Sequence, residues 1–462
     1  MTDLTAFTAN LEKTYARITR GLRANERGYD WRIAQLKRLK AMLEENDQAL
    51  CDAMWKDLRK SKFECQSTEQ GVVLGEIDDA IKKLHTWMKP KRVSTPLYNW
   101  PGRSLIVNDP YGLTLIIGAW NYPINLTLAP LVGAIVGGNA CIIKPSEIST
   151  NTAHLLNELI AKYLDPDLFA VIEGGADETG VLLDKQFDFI FFTGSGPVGK
   201  IILAKAAPHL TPVVLELGGK SPAIIWPDAD LKVAARRLAW GKFMNAGQTC
   251  IAPDYLIVHP SIHDALTIEI QKCIEEFYGS NPQLSPDYCR IINERNFDRL
   301  TKLAKDEKVL VGGKTDRTEK YIAPTLLAVT PAAPIMQEEI FGPYLPMIKM
   351  ANETEIVEFI NSRPKPLAIY VFTRDEKLKT LFTKKTSSGA LVFNDVVIHM
   401  PVPELPFGGV GASGMGHYHG RFSFETFTHA KGVLRKTSFL DVSVRYAPYS
   451  EKKSKVMRWL FS

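Results

Sequence analysis

Apolar residues recur at intervals of three and four through roughly the first ninety positions of the chain. In "RIAQLKRLKAMLEENDQALCDAMWKDL" (residues 32–58) charges fall between them, and neither proline nor glycine interrupts. That spacing predicts amphipathic helices forming a surface layer over residues 3–90. At "KPKRVSTPLYNWPGRSLIVNDPYG" (89–112) prolines and glycines break the period, and two short extended runs there can pair as a hairpin.

From residue 113 the pattern changes to short β-branched or aromatic runs that end in Gly, Pro or polar residues: "LTLIIGAW", "ACIIKP", "FAVIEG", "FDFIFFTG", "PVVLEL" and "AIIWPD". Helix-like stretches such as "TAHLLNELIAKYL" and "VGKIILAKAA" separate several of them. Strand and helix in alternation predict an α/β fold with a doubly wound parallel sheet, because parallel neighbours need a crossover connection. A second series follows residue 250 through "YLIVHP", "TEIVEFINS", "LAIYVFTRD" and "GALVFN", which predicts a second domain of the same style. The end, "VSVRYAPYSEKKSKVMRWLFS", is basic and aromatic and reads as a tail or short helix.

Composition narrows the function classes. A chain of 462 residues is long enough for about three domain-sized units. The formal charge of +5 is small for that length and is spread along the chain, which argues against a nucleic-acid partner. The 6 cysteines are too few for a disulfide scaffold and none has metal-site spacing, so reduced thiols and no bound metal are expected. The N-terminus lacks the apolar core of a secretory signal and no run approaches a spanning helix, so the reading is cytoplasmic.

Ligands of open α/β sheets bind where strands end, and four turns there carry candidate chemistry. "FFTGSGPVGK" places Gly194, Gly196 and Gly199 as GxGxxG between strand and helix, either a dinucleotide turn or a plain tight turn. Asn121 of "GAWNYP" is either an amide donor for an oxyanion or a turn asparagine before proline. Glu216 of "VVLELGGK" ends an apolar strand and is either a general base or an ion-pair partner. Cys250 of "NAGQTCIAPDY" lies among small and polar residues, either an accessible nucleophile or a small buried hydrophobe. Together the four offer a sulfur nucleophile, an oxyanion donor, a base for water and a dinucleotide turn. A thiolate adding to an aldehyde gives a thiohemiacetal, whose C–H leaves as hydride to a nicotinamide; the thioester left behind is then hydrolysed.

"GAWNYP", "IIKPSE", "FFTGSGPVGK", "LELGGKSP", "NAGQTCIAPDY", "QEEIFGP" and "PFGGVGASGMGHYHG" occur in that order across almost the whole chain. In them the protein resembles the aldehyde dehydrogenase superfamily, in its class 3 branch, which takes fatty and aromatic aldehydes. Ala412 stands where that branch commonly has serine. The resemblance implies two doubly wound parallel-sheet domains with a small bridging or oligomerisation element. Residues 1–95 and 110–217 would form the dinucleotide-binding domain, 218–397 the catalytic domain, 96–109 and 398–440 the bridging element, and 441–462 the tail.

By the same resemblance Cys250 is the nucleophile, the Asn121 side chain and the Cys250 backbone N–H form the oxyanion hole, and Glu216 is the base for deacylation. Lys144 and Glu147 would contact the adenine-side ribose, and Trp120, Gly194, Ser195 and Gly199 the adenosine and pyrophosphate. Glu339 and Phe341 would hold the nicotinamide ribose and ring. Tyr122, Phe393, Ile398 and Met400 would line an apolar substrate entrance, with core packing as the alternative for each. The implied cofactor is NAD with NADP tolerated, since a carboxylate at Glu147 disfavours a 2′-phosphate. The implied partners are an apolar aldehyde and a second subunit, as a homodimer. The tail offers at most peripheral membrane contact, with subunit packing or disorder as its alternatives. Two other readings stand beside this one: a coenzyme A-acylating relative, against which Glu216 argues, and an inactive homologue, which would be expected to lose Cys250, Asn121 or Glu216.

Overall fold

The computed structural model describes residues 4–441 and 443–461. The predicted helical layer is present as helices Leu4–Ala24, Tyr29–Glu45, Asp47–Leu58 and Gly71–Trp87, with a short helix Lys62–Cys65 and a π-helical turn Gln66–Gln70 between the last two. Apolar positions such as Leu36, Leu39 and Leu43 are fully buried while the charges between them face out, as an amphipathic period requires.

A six-stranded sheet follows in the spatial order Gly414–Met415, Val213–Glu216, Phe189–Thr193, Leu113–Ile117, Ala140–Lys144 and Phe169–Val171. Its neighbours are parallel except for the Gly414–Met415 strand, which pairs antiparallel with Val213–Glu216. Strands buried on both faces explain the continuous apolar runs read from the sequence. Chain order runs outward from Leu113–Ile117 on one side and from Phe189–Thr193 on the other. Their shared edge is therefore the point where the winding reverses, and its carboxyl end is an open crevice.

The second sheet has seven strands in the order Lys308–Val311, Thr325–Ala328, Tyr344–Lys349, Tyr255–Val258, Pro222–Ile225, Ala368–Phe372 and Ala390–Phe393. It too is parallel apart from one edge, Lys308–Val311, which carries a register shift. The expected parallel sheets are thus each mixed at one edge. An antiparallel edge strand needs no crossover, so a two-residue segment arriving from a distant loop can supply one.

Helix Asn125–Gly137 is apolar on every side and buried along its whole length at the centre of the first unit. Helix Gly420–Thr426 packs across it, and the approach is close enough that a Cβ on Gly133 would lie 2.6 Å from the Phe427 ring. The predicted hairpin forms between Lys91–Val93 and Arg103–Pro110, and Thr428–Arg435 adds an eight-residue antiparallel partner to make a small exposed sheet. Residues Glu451–Phe461 form an exposed helix. Among the described residues no helix is long and apolar enough to cross a membrane.

Candidate active site

Each candidate side chain is placed by a chain segment with a physical reason to stop where it does. Strand Leu113–Ile117 runs out at Gly118 and leads to Trp120 and Asn121; strand Phe189–Thr193 runs out at Gly194 and Ser195. Both therefore open on the crevice at the winding reversal. Strand Val213–Glu216 ends on the glutamate itself, whose carbonyl accepts the Gly194 N–H at 2.9 Å.

Cys250 corrects the placement expected for it. Its turn does not end a strand: it follows helix Leu231–Phe243 and leads into strand Tyr255–Val258, at the amino edge of the second sheet. Carboxyl edge and amino edge of the two sheets meet there. Asn245 and Ala246 both adopt left-handed backbone (φ 52 and 50°), and Gly247 follows at φ 74°. Two successive non-glycine residues in that region are costly and persist only where the surroundings over-determine them. Here the Asn245 N–H donates to Glu64 Oε1 (2.8 Å) and its amide to Asn121 O (2.9 Å). The Gln248 amide donates to Asn245 O and Arg290 O, both at 3.0 Å, while its oxygen accepts from Ile292 N at 3.0 Å. A Cβ on Gly247 would meet Gly342 O at 2.3 Å. These contacts explain the wording "NAGQ" before the thiol.

A single cavity of about 840 Å³ is lined by Cys250, Asn121 and Glu216 together. Asn121 is buried and directs one amide N–H to Gln248 O at 3.0 Å. Glu216 is buried with neither carboxylate oxygen hydrogen-bonded, and burial pushes its pKa well above the ordinary carboxylate range. A carboxylate that finds no compensating donor holds its proton more tightly than one in water, so it is set to take and return protons nearer neutrality. Burial pushes the Cys250 thiol up to about 12, with Glu339 and Glu216 adding to the effect. Glu339 is raised to about 8 by burial and by Asp254. Burial thus opposes ionisation at all three groups.

Trp120, Gly194, Ser195, Glu339 and Phe341 line the same cavity. Phe341 meets the Trp120 ring edge to face at 5.3 Å. Lys144, buried at the end of its strand, donates to Glu147 Oε2 at 2.7 Å, and Glu147 borders a separate, smaller hollow beside Gly174 and Gly175. Gly199 lies outside both linings; its Cα faces Leu217, where a Cβ would come within 3.0 Å, so it lets helix Gly196–Ala206 approach the sheet. These features suit a dinucleotide. An eleven-residue helix begins at the glycine turn with its N–H groups toward the crevice. A Cβ on Gly218 would fall 2.0 Å from Glu339, so that glycine lets the carboxylate close over the cavity.

Lys220 of "GGKSP" pairs with Asp254 of "APDY" and also donates to Glu338 O at 2.7 Å, while Ile340 N donates to Asp254 Oδ1 at 3.1 Å. Three separated motifs are thus one tie that holds the Glu339 loop against the Cys250 turn. Of the expected entrance residues, Tyr122, Ile398 and Met400 line the cavity, whereas Phe393 sits in strand Ala390–Phe393 outside its lining. Tyr122 bonds Thr249 through its hydroxyl at 2.7 Å. Sequence reasoning passed over Trp240, Met244, Phe407 and Tyr418, which also line it. The first two flank the end of the helix that runs into the Cys250 turn, Trp240 in its last turn and Met244 just beyond it.

A family model for the aldehyde dehydrogenase family matches residues 24–433. The chain is 48% identical over 433 residues to a Rattus norvegicus protein named "Aldehyde dehydrogenase, dimeric NADP-preferring", covering 94% of this chain and 95% of that one. It is also 48% identical over 448 residues to "Aldehyde dehydrogenase family 3 member A2" of Mus musculus, covering 96% and 92% of the two chains. A solved Staphylococcus aureus AldH in a substrate-bound state superposes with a TM-score of 0.95 at 44% identity, over 98% of this chain and 99% of that one.

The raised thiol generates a direct expectation. A thiol whose pKa lies above the working pH gains thiolate in proportion to hydroxide. Alkylation of Cys250 by iodoacetamide in the cofactor-free protein, followed by peptide mass spectrometry, should rise about tenfold per pH unit from about pH 7 to 9.5. A plateau below about pH 9 would show that the thiol is not raised.

Proposed function

The chain belongs to the aldehyde dehydrogenase family, whose reaction oxidises an aldehyde to a carboxylic acid with a nicotinamide dinucleotide, and we propose that Cys250, Asn121 and Glu216 carry that reaction here. The observation that carries the assignment is their convergence on one cavity, the base with both oxygens unpartnered. Cys250 passes its proton to water in the cavity and adds as the thiolate to the carbonyl carbon, forming a thiohemiacetal. The developing oxyanion is held by the second amide N–H of Asn121 and the backbone N–H of Cys250. When bound, the nicotinamide supplies a hydride acceptor. Glu216 then takes a proton from water, the hydroxyl adds to the thioester carbon, and the C–S bond breaks to return Cys250 and release the acid.

Trp120, Gly194, Ser195, Glu339 and Phe341 would hold the pyrophosphate-to-nicotinamide end of the cofactor, and Lys144 with Glu147 the adenine-side ribose. The carboxylate of Glu147 supports NAD as the preferred form, while likeness to the rat protein named for NADP supports use of both. Tyr122, Ile398 and Met400 support an apolar aldehyde, of medium to long chain or aromatic. Residues 1–95 with 110–217 would bind the dinucleotide and 218–397 would carry catalysis. Residues 96–109 and 398–440 would bridge to a second subunit through the small sheet and the turn between its first two strands, where Leu434 and, in the turn, Leu97 and Trp100 are solvent-facing. A return of acyl to coenzyme A is disfavoured by a base already placed for water.

Two outcomes test this reading. Cys250→Ala should abolish NADH formation from any aldehyde, and Asn121→Ala should lower kcat by about 10²–10³, the usual cost of one oxyanion donor. Turnover that appears only with added coenzyme A would contradict the hydrolytic assignment. The tail is the second case. Helix Glu451–Phe461 exposes Trp459 and Phe461 beside Lys452, Lys455 and Arg458, a composition suited to peripheral contact with an anionic bilayer. Flotation with anionic liposomes should fall when residues 450–462 are removed, and equal flotation of both forms removes membrane contact from the account.

A further inference from the structure

Beneath the Asn121 turn lies a charged cluster that takes no part in the chemistry above. Lys60 and Glu69 are wholly buried, and Lys60 Nζ donates to Glu69 Oε1 at 2.7 Å. The same ammonium donates to Asn121 O at 3.3 Å and sits 4.0 Å above the Tyr122 ring. The other oxygen of Glu69 accepts the backbone N–H groups of Ile124 (3.1 Å) and Asn125 (2.9 Å). One ion pair thus grips four residues of a stretch that belongs to no strand and only reaches helix at Asn125. Buried backbone groups there need partners that neither ladder supplies, and these two side chains provide them.

A buried ion pair is a poor device for stability, since well-packed apolar residues of the same volume commonly do as well or better. Its geometry is the better reason for it. Glu69 reaches the turn from a π-helical segment, an irregularity often found at functional sites. Glu64, five residues earlier, holds the N–H of Asn245 at 2.8 Å, and Asn245 in turn donates to the same Asn121 carbonyl. Segment 60–69 therefore sets the oxyanion-donor turn and the nucleophile turn in one register. Burial disfavours the Lys60 ammonium, but Glu69 and Glu64 outweigh it and hold its pKa above the ordinary lysine value. Burial raises Glu64 and Glu69 alike, and Lys60 opposes the rise in both.

We propose that Lys60, through its ion pair with Glu69, is a positioning residue that aims the Asn121 amide at the reacting carbonyl oxygen. The proposal rests on Asn121 being the oxyanion donor. It acts on the transition state, so loss of Lys60 lowers kcat while leaving substrate and cofactor binding in place.

The test is a double-mutant cycle on the full chain with Lys60→Met, Asn121→Ala and the double variant, and with Glu69→Gln as the near-isosteric second disruption. Melting temperature, KM for a long-chain aldehyde, and NAD affinity by fluorescence titration are read beside kcat. Lys60→Met is expected to lower kcat on the order of ten- to a hundredfold, with KM and NAD affinity within about twofold. The double variant is expected to be no slower than Asn121→Ala alone. Wild-type kcat in Lys60→Met, or losses that multiply in the double variant, would overturn the proposal. If Lys60→Met does not fold, the Glu69→Gln and Asn121→Ala pair decides it by the same comparison. Wild-type kcat in Asn121→Ala instead overturns the oxyanion assignment itself, which separates that failure from the failure of the clamp.

Discussion

Desolvation governs this site. The cavity between the two sheets holds Glu216, Glu339 and Cys250 where charge is poorly solvated, and burial is the leading cause of the raised pKa in each. Glu339 and Glu216 both add to the rise at Cys250, so ionisation of either acid makes the thiolate harder to form. The site therefore opposes charge on all three groups, and positive charge, oxyanion donors or bound substrate favour ionisation there. That makes the few fixed donors in the cavity decisive, because an N–H aimed at developing negative charge counts for more in a low dielectric than in water.

Keeping such a cavity open and its donors aimed demands a rigid frame, and the frame is built across long sequence distances. The carboxyl edge of one sheet faces the amino edge of the other, so the shared space is built from turns and strand ends. The Lys220–Asp254 pair holds the Glu339 loop, Gln248 and Asn245 lock the left-handed turn before Cys250, and the Lys60–Glu69 pair lies beneath Asn121. In each case a polar side chain satisfies backbone that regular structure has abandoned.

What could be read from the sequence follows from that division. Alternating strands and helices, the glycine turn at Gly194 and the residues at strand ends, Asn121 and Glu216, are local signals and were legible as such. The Cys250 turn was placed at a strand end because its loop residues carry no mark of which edge they occupy. Lys60 and Glu69 lie in a stretch whose charges look like an ordinary solvated helix face, and nothing in the period tells that these two point inward. Gly199 matched a phosphate fingerprint, yet its neighbour in space is Leu217, a packing reason for glycine. Phe393 ends a strand in the right region, yet it packs half-buried against the apolar core, outside the cavity lining. The Gly414–Met415 strand is too short for any pattern to announce.

The central claim is that an acyl group passes through Cys250 and waits there for Glu216 to activate water. The most direct measurement is intact-protein and peptide mass spectrometry of Glu216→Gln after mixing with NAD and a long-chain aldehyde, quenched in acid within seconds. The account predicts a mass increase equal to the acyl group on the peptide carrying Cys250, formed together with one equivalent of NADH. NADH formed with no acyl adduct, or an adduct on any other residue, would contradict it.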